Sequence, residues 1–449
     1  MSKAASEITV GIDIGTTSVK AVAADADGNV VARSRVPHRI LVTAPDRLEH
    51  DADEAWRKGP EAALAELGDV GREARGVSVA AMVPSLTAVD AAGIPRTPGL
   101  LYGDARGGTG GSGNPAQSGE FVGFLRWTAE QYPDAAGFWP AQAVANRALG
   151  GEAVLDTSTA ATTFPLFDWR RWDPAVARDA GITTDTLPRL VPTAAACGRV
   201  GGPDGPVLAS GCIDALAEQI VAGADSPGDV LVILGTTLII WVVIPEDEVP
   251  EDGGGYYPIP HTASGNFLLG GPSNAGGLFV NWALDSLGAR DAARAGDPGS
   301  VPVWAPYPRG ERSPLDDPSR RAVLADLDLT HGPAAIRRAT FEASGFVTRR
   351  AIEASGRPAR RIIATGGGTR VDEWVQALAD GTGLPVDCVT VPEGGALGSA
   401  FLARVAAGLE GSMLDARRWA SIARTVEPEP GWNAAMGERY RRFLELSPR

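Results

Sequence analysis

The chain has 449 residues, of which 44% are hydrophobic and 21% charged, enough for two or three domains with a sizeable core. Its net charge of −14 argues against a general nucleic-acid or anionic-membrane surface, which would need clustered positive charge. A nucleotide substrate stays open, because backbone amides and a metal can hold phosphates.

Residues 8–36 read as a strand meander. Val10, Ile12 and Ile14 alternate toward one face, and Asp25-Ala26-Asp27-Gly28-Asn29 is a turn signal. The first strand ends in Gly15-Thr16-Thr17, where glycine permits a tight bend and a close ligand approach. Small hydroxyls and amides at such a bend can hold phosphate oxygens. Lys20 lies five residues after Gly15. Asp13, inside the apolar strand, is costly unless paired or metal-bound. It reads as a magnesium anchor, directly or through water; the alternative is an Asp capping local amides.

Helical spacing follows over residues 51–70, and residues 76–106 read as strand, turn, strand. Residues 107–119 are rich in Gly and Ser and read as a mobile loop. The formal GxGxxG at Gly108, Gly110 and Gly113 lacks a clear βαβ context. Residues 120–150 look helical. Asp214 follows Ser210-Gly211-Cys212-Ile213 and opens a helical pattern. It reads as a helix N-cap or as a general base for a substrate hydroxyl.

Residues 223–228 break that pattern, giving an expected division into 1–226 and 227–449. The second half repeats the opening: an apolar strand, Gly235-Thr236-Thr237, and a return strand. A long helix is expected over 333–355 and a strand over 361–365. Gly366-Gly367-Gly368 then leads to a helix carrying Trp374, and the backbone there could lie against an adenine and ribose. Glu393-Gly394-Gly395-Ala396-Leu397-Gly398 opens another helix. The tail, about 412–445, looks helical with a break at 428–431.

Other chemistries lack their motifs. Cys197, Cys212 and Cys388 form no CxxC pair, and His38, His50, His261 and His331 are isolated in sequence. There is no GxxxxGK[ST] loop and no GxSxG elbow. No charged-then-apolar leader and no run of about 20 apolar residues occurs, so a cytoplasmic protein is expected.

The order of motifs resembles the FGGY family of carbohydrate kinases, including its xylulokinase-like members, within the actin-like ATPase superfamily. Six segments carry the likeness. Residues Gly11 to Lys20 and Leu234-Gly235-Thr236-Thr237 resemble the two phosphate motifs. Leu101-Tyr102-Gly103-Asp104-Ala105-Arg106 resembles the sugar-side segment, and Gly211-Cys212-Ile213-Asp214-Ala215 the segment with the catalytic aspartate. Pro306-Tyr307 through Gly310-Glu311-Arg312-Ser313-Pro314 resembles the family's GERTP stretch. Thr365 to Gly368, through Ala396-Leu397-Gly398, resembles the adenosine motif.

The resemblance implies an α/β fold of two actin-like (ribonuclease H-like) domains with a nucleotide and sugar cleft between them. Residues 1–226 would be the sugar side and 227–449 the nucleotide side. It implies ATP and Mg2+ as cofactors, Asp214 as base and Asp13 near magnesium. ATP would be held by Gly15, Thr16, Thr17, Lys20, Gly235, Thr236, Thr237, Gly277, Gly367 and Gly368, and the sugar by Asp104 and Arg106. The expected partner is a small sugar or polyol, with no nucleic acid or membrane, and a homodimer is left open.

The departures fall on the sugar side. Met82-Val83-Pro84 stands where xylulokinase-like members carry Gln-Met-His. Tyr102 stands for the usual tryptophan, and Gln142-Ala143-Val144 for a Lys-Asp-Tyr segment. A ketose such as xylulose is the first expectation. The alternative is a non-catalytic sugar or nucleotide sensor on the same fold.

Overall fold

The computed structural model describes residues 7–44, 47–108, 119–261, 265–391 and 393–448. They form two compact units: Met1–Val221 with Glu393–Trp419, and Ala222–Pro392 with Ala420–Arg449.

In the first unit the expected meander is β1 (Thr9–Ile14), β2 (Ser18–Ala24) and β3 (Val30–Pro37), followed by β4 (Leu41–Ala44) and β5 (Arg47–His50). The helical run 53–66 leads to β6 (Gly76–Ala81), β7 (Ser85–Val89) and β8 (Gly99–Leu101). The stretch 120–150, expected to be helical throughout, divides into α1 (Glu120–Gln131), β9 (Gly137–Trp139) and α2 (Ala141–Ala148). Tyr132-Pro133 stops α1: proline disfavours helical backbone at the residue before it. Then come β10 (Ala196–Arg199), β11 (Val207–Ala209), β12 (Cys212–Ile213) and α3 (Asp214–Ala222). The main sheet runs β10–β11–β6–β1–β2–β3, with β12 also on β6, and a smaller sheet runs β4–β5–β8–β7–β9.

The second unit opens with β13 (Asp229–Leu234), β14 (Leu238–Pro245), β15 (Tyr257–Pro260), β16 (Asn266–Ser273) and α4 (Gly277–Ser286). It continues through α5 (Pro333–Ala354), β17 (Arg361–Thr365), α6 (Asp372–Thr382) and β18 (Val386–Val389). After α7 (Gly394–Ala406), the tail holds β19 (Ile422–Val426) as well as α8 (Pro430–Leu446). The expectation of a helical tail missed β19, which closes the sheet edge beside β18. Its half-exposed residues lack a helical stripe, so only the waiting edge defines them.

The second sheet is ordered β15–β16–β14–β13–β17–β18–β19. The duplication is topological. β1 pairs antiparallel with β2 and parallel with β6, as β13 pairs with β14 and β17.

Helix α7, far away in sequence, packs on β1. A Cβ at Gly11 would lie 1.8 Å from the Ala396 carbonyl oxygen and 2.2 Å from the Ala400 nitrogen. Thr9 Oγ1 donates to the Ala400 carbonyl at 2.9 Å. Gly398 makes the same kind of approach to α3, where a Cβ would be 1.9 Å from the Ala217 oxygen. Side chains here would force backbone apart, which costs more than rotamer adjustment. Gly11→Ala is therefore expected to lower unfolding free energy by about 2 kcal/mol or more in denaturant titration. Gly437→Ala, in α8 where nothing beyond its own helix lies within 4 Å of an added Cβ, should instead be neutral or stabilise by up to about 1 kcal/mol.

Candidate active site

The first Gly-Thr-Thr turn is held from behind. Asp13 pairs with Lys20 and Ile14 with Val19 across β1 and β2, and Gly15 N–H closes the turn on the Ser18 carbonyl at 3.1 Å. The Thr16 carbonyl accepts from His50 Nε2–H at 2.7 Å. Trp56 Nε1–H donates to His50 Nδ1 at 2.9 Å, so Nδ1 is the acceptor and the proton sits on Nε2. Burial, and then neighbouring His38, push the His50 pKa down to about 4, and the ring is neutral near pH 7. His38 N–H donates to the Thr17 carbonyl at 3.1 Å. A trans peptide points its N–H opposite its C=O, so the Thr17 amide faces away from the histidine. The Thr16 hydroxyl shares a 2.8 Å hydrogen bond with the Tyr102 hydroxyl.

The second turn is built the same way with other parts. The Gly235 carbonyl accepts from Gly277 N–H at 2.8 Å and the Thr236 carbonyl from Leu278 N–H at 3.0 Å. These are the first amides of α4, which have no partner within their own helix. The Thr236 and Thr237 amides therefore point away from α4. Gly277 is glycine because a Cβ would sit 2.8 Å from the Gly235 oxygen. The triple glycine divides by role. Gly366, at φ +87°, and Gly368 press on Leu234 at the end of β13, whereas nothing lies within 4 Å of a Cβ at exposed Gly367. In this second unit the structure thus gathers Gly235, Thr236, Thr237, Gly277, Gly367 and Gly368.

The first unit gathers the predicted acids. Buried Asp13 pairs with Lys20 Nζ at 3.4 Å. Asp13, with Glu218 and Glu393 adding to it, holds the Lys20 ammonium above its ordinary pKa against burial. A Cβ at Gly395 would come within 3.1–3.4 Å of the Asp13 carboxyl atoms, so α7 keeps that carboxylate clear of a side chain. Asp13 is in register with Ala80, and Ala80 with Cys212. Cys212 thus lies two strand spacings from Asp13, roughly 10 Å. Half-buried Asp214 follows two residues on at the head of α3, with Oδ1 accepting from Ala215 N–H at 2.7 Å. Burial, then Asp156, Asp214 and Asp13, raise the Cys212 thiol well above its ordinary pKa. It stays an inert thiol, and all three cysteines are free and buried.

Asp104 and Arg106 are together but engaged with the chain itself. Asp104 Oδ1 accepts from Arg106 N–H at 2.9 Å and Nε–H at 2.8 Å; Oδ2 accepts from Arg106 at 2.7 Å and from Leu48 N–H at 2.6 Å. Arg106 also pairs with Glu49 at 2.9 Å and lies over the Trp127 ring at 4.7 Å. Met82 N–H reaches the Ile14 carbonyl at 3.3 Å, setting Met82-Val83-Pro84 beside the end of β1. Gly110 and Gly113 lie outside the described residues, as does most of 107–119.

His38, His50 and Trp56 escape sequence reading. Isolated by numbering, the two histidines meet edge-to-face with ring centroids 4.4 Å apart. No local motif marks a contact from residue 50 to residue 16; the only trace is a Trp six residues after His50. Among the described residues no group of three or more His, Cys, Asp or Glu side chains could hold a metal. None of the described helices is long and apolar enough to cross a membrane.

Two sheets of one topology, each with a Gly-Thr-Thr turn after its first strand, define an α/β protein of the actin-like type. The chain matches the FGGY family of carbohydrate kinases, N-terminal domain over residues 8–109 and C-terminal domain over 230–407. It belongs to that family and is a carbohydrate kinase. It is 26% identical to xylulose kinase from Escherichia coli over 97% of this chain and 98% of that protein. It is 26% identical to gluconokinase from Bacillus subtilis over 83% and 82%. The structure of xylulose kinase from Rhodospirillum rubrum matches in fold with a TM-score of 0.77 at 24% identity, covering 98% of both chains. These likenesses lend the sensor alternative no support.

Glu311, in the GERSP stretch, is buried and accepts from Ser273 Oγ at 2.6 Å, Asn274 N–H at 2.9 Å and Arg312 N–H at 2.7 Å. Burial outweighs those bonds and raises its pKa from 4.5 to about 7. The folded state therefore binds this proton more tightly than the unfolded chain. Its contribution to stability is complete below pH 4.5, falls as pH rises, and is gone above about 7. Melting temperatures from pH 5 to 8 should show Glu311→Gln gaining on the wild type as pH rises, then levelling. A constant difference between the two proteins would remove this titration.

Proposed function

We propose that the protein transfers the γ-phosphoryl group of Mg-ATP to a hydroxyl of a sugar, with a ketose such as xylulose as the first acceptor. The observation that carries this reading is the pair of Gly-Thr-Thr turns whose carbonyls are tied back, leaving the amides of Thr17, Thr236 and Thr237 to meet anionic oxygens. The residues assigned to the phosphates are Gly15, Thr16, Thr17 and Lys20 at the first turn and Gly235, Thr236, Thr237 and Gly277 at the second; the open face of Gly367, beside Gly368, is assigned to the adenosine.

The donor set fits magnesium. Asp13 is a buried carboxylate that α7 leaves uncrowded, and a small hard cation commonly takes one or two carboxylates plus phosphates and water. Asp13 would hold it, and the ion, when bound, neutralises phosphate charge. Asp214 accepts the proton of the attacking hydroxyl. The hydroxyl oxygen then bonds to the γ-phosphorus, the bond to the β,γ-bridging oxygen breaks, and ADP leaves with that electron pair. Positioning and charge neutralisation supply most of the rate. Asp104 and Arg106, saturated by each other, Leu48 and Glu49, fix the Tyr102 segment on the sugar side.

Asp214→Asn should cut sugar-dependent ADP release by at least ~10² while leaving ATP affinity within a factor of about two. Equal turnover in both proteins would remove Asp214 as the base. Across pentuloses, hexuloses, aldonates, polyols and glycerol, xylulose should give the highest kcat/KM. A lead by gluconate would overturn the ketose assignment and leave the kinase chemistry standing.

A further inference from the structure

Strand β5 carries three consecutive links. Leu48 N–H donates to Asp104 at 2.6 Å, Glu49 pairs with Arg106 at 2.9 Å, and the fully buried His50 donates to the Thr16 carbonyl at 2.7 Å. The third link differs in kind, because it fixes a peptide group rather than a side chain. The imidazole must present an N–H to Thr16, and that depends on which ring nitrogen is protonated. Trp56 decides it by donating to Nδ1 at 2.9 Å. Room for the indole comes from β8, where a Cβ at Gly99 would approach the Trp56 ring at 2.5 Å. His38 closes the other side of the His50 ring at 4.4 Å.

We infer that His50, locked by Trp56, is the positioning residue that aims the Thr17 amide at the nucleotide phosphates. It touches neither ATP nor sugar. Without its N–H, the Thr16–Thr17 peptide can rotate and seek another partner for the carbonyl, and the Thr17 amide loses its direction. Glutamine can replace it in principle: its amide has one N–H for Thr16 and one oxygen for Trp56, the same pair of functions as the neutral imidazole. Leucine has neither.

The inference rests on reading Gly15-Thr16-Thr17 as a phosphate turn, and the test separates the two. The KM for ATP, the KM for the sugar and kcat are measured for the wild type, His50→Leu, His50→Gln and Gly15→Val, each checked by melting. Gly15 is a fair probe of the turn, since a Cβ there meets only the Ser18 oxygen at an ordinary 3.4 Å. His50→Leu should raise the KM for ATP by about tenfold or more, leave the sugar KM within about twofold, and be rescued by His50→Gln. The inference is overturned if folded His50→Leu keeps the wild-type KM for ATP, if ATP and sugar constants move together, or if glutamine is as damaging as leucine. Should Gly15→Val weaken ATP while His50→Leu does not, the phosphate turn stands and the role of His50 falls. Should Gly15→Val leave the ATP constant unchanged, the phosphate reading itself fails and takes this inference with it.

Discussion

The candidate chemistry depends on peptide groups being held by their carbonyls. A tight turn between two strands has spare donors and acceptors, and which of them face a ligand is set by what binds the others. In both units the acceptors are consumed at the back, by His50 and the His38 amide in one and by the first amides of α4 in the other. Planarity of the peptide bond converts each of these bonds into a direction for the next N–H. The two solutions share no residue types beyond the turn itself. The requirement is geometric, and sequence similarity between the halves need not extend past Gly-Thr-Thr.

The same economy governs α7. It is separated from β1 by nearly the whole chain, yet glycines at 11, 395 and 398 let it lie against β1, Asp13 and α3. One helix thereby sets the surroundings of the buried acid and the backing of the helix that begins at Asp214. Glycine is needed in these places because backbone or a carboxylate occupies the space of a side chain. Gly367 is glycine with open space above it, the pattern expected where a ligand lies over the backbone.

Much of this was legible in the sequence, and the limits have physical causes. Strand alternation and turn residues located the meander and both Gly-Thr-Thr bends, because those signals are local. Helix α5 was visible as a long helical run, and α6 through the face that carries Trp374, Leu378 and Ala379. The strand β19 was not, since an edge strand is defined by the partner it completes. Nor was β9, which interrupts the stretch 120–150. Asp13 was conspicuous as a carboxylate in an apolar run. His50 was inconspicuous because its role depends on Thr16 and Trp56 together, at separations of 34 and 6 residues.

Asp104 has no oxygen left over: each accepts two hydrogen bonds from the chain's own donors. A carboxylate in that state contributes rigidity to the segment that carries it. The segment is tied twice to the Gly15-Thr16-Thr17 turn, through the Tyr102–Thr16 hydroxyl pair and through β5, where Asp104, Arg106 and Thr16 meet three consecutive residues. The Tyr102 segment and the Gly15-Thr16-Thr17 turn are thus cross-linked within the first unit. For a reaction that gains its rate from positioning, such cross-links hold the Tyr102 segment and the Gly15-Thr16-Thr17 turn at one spacing. Met82-Val83-Pro84, hydrogen-bonded to β1 at Ile14, joins the same bonded set from the end of β6.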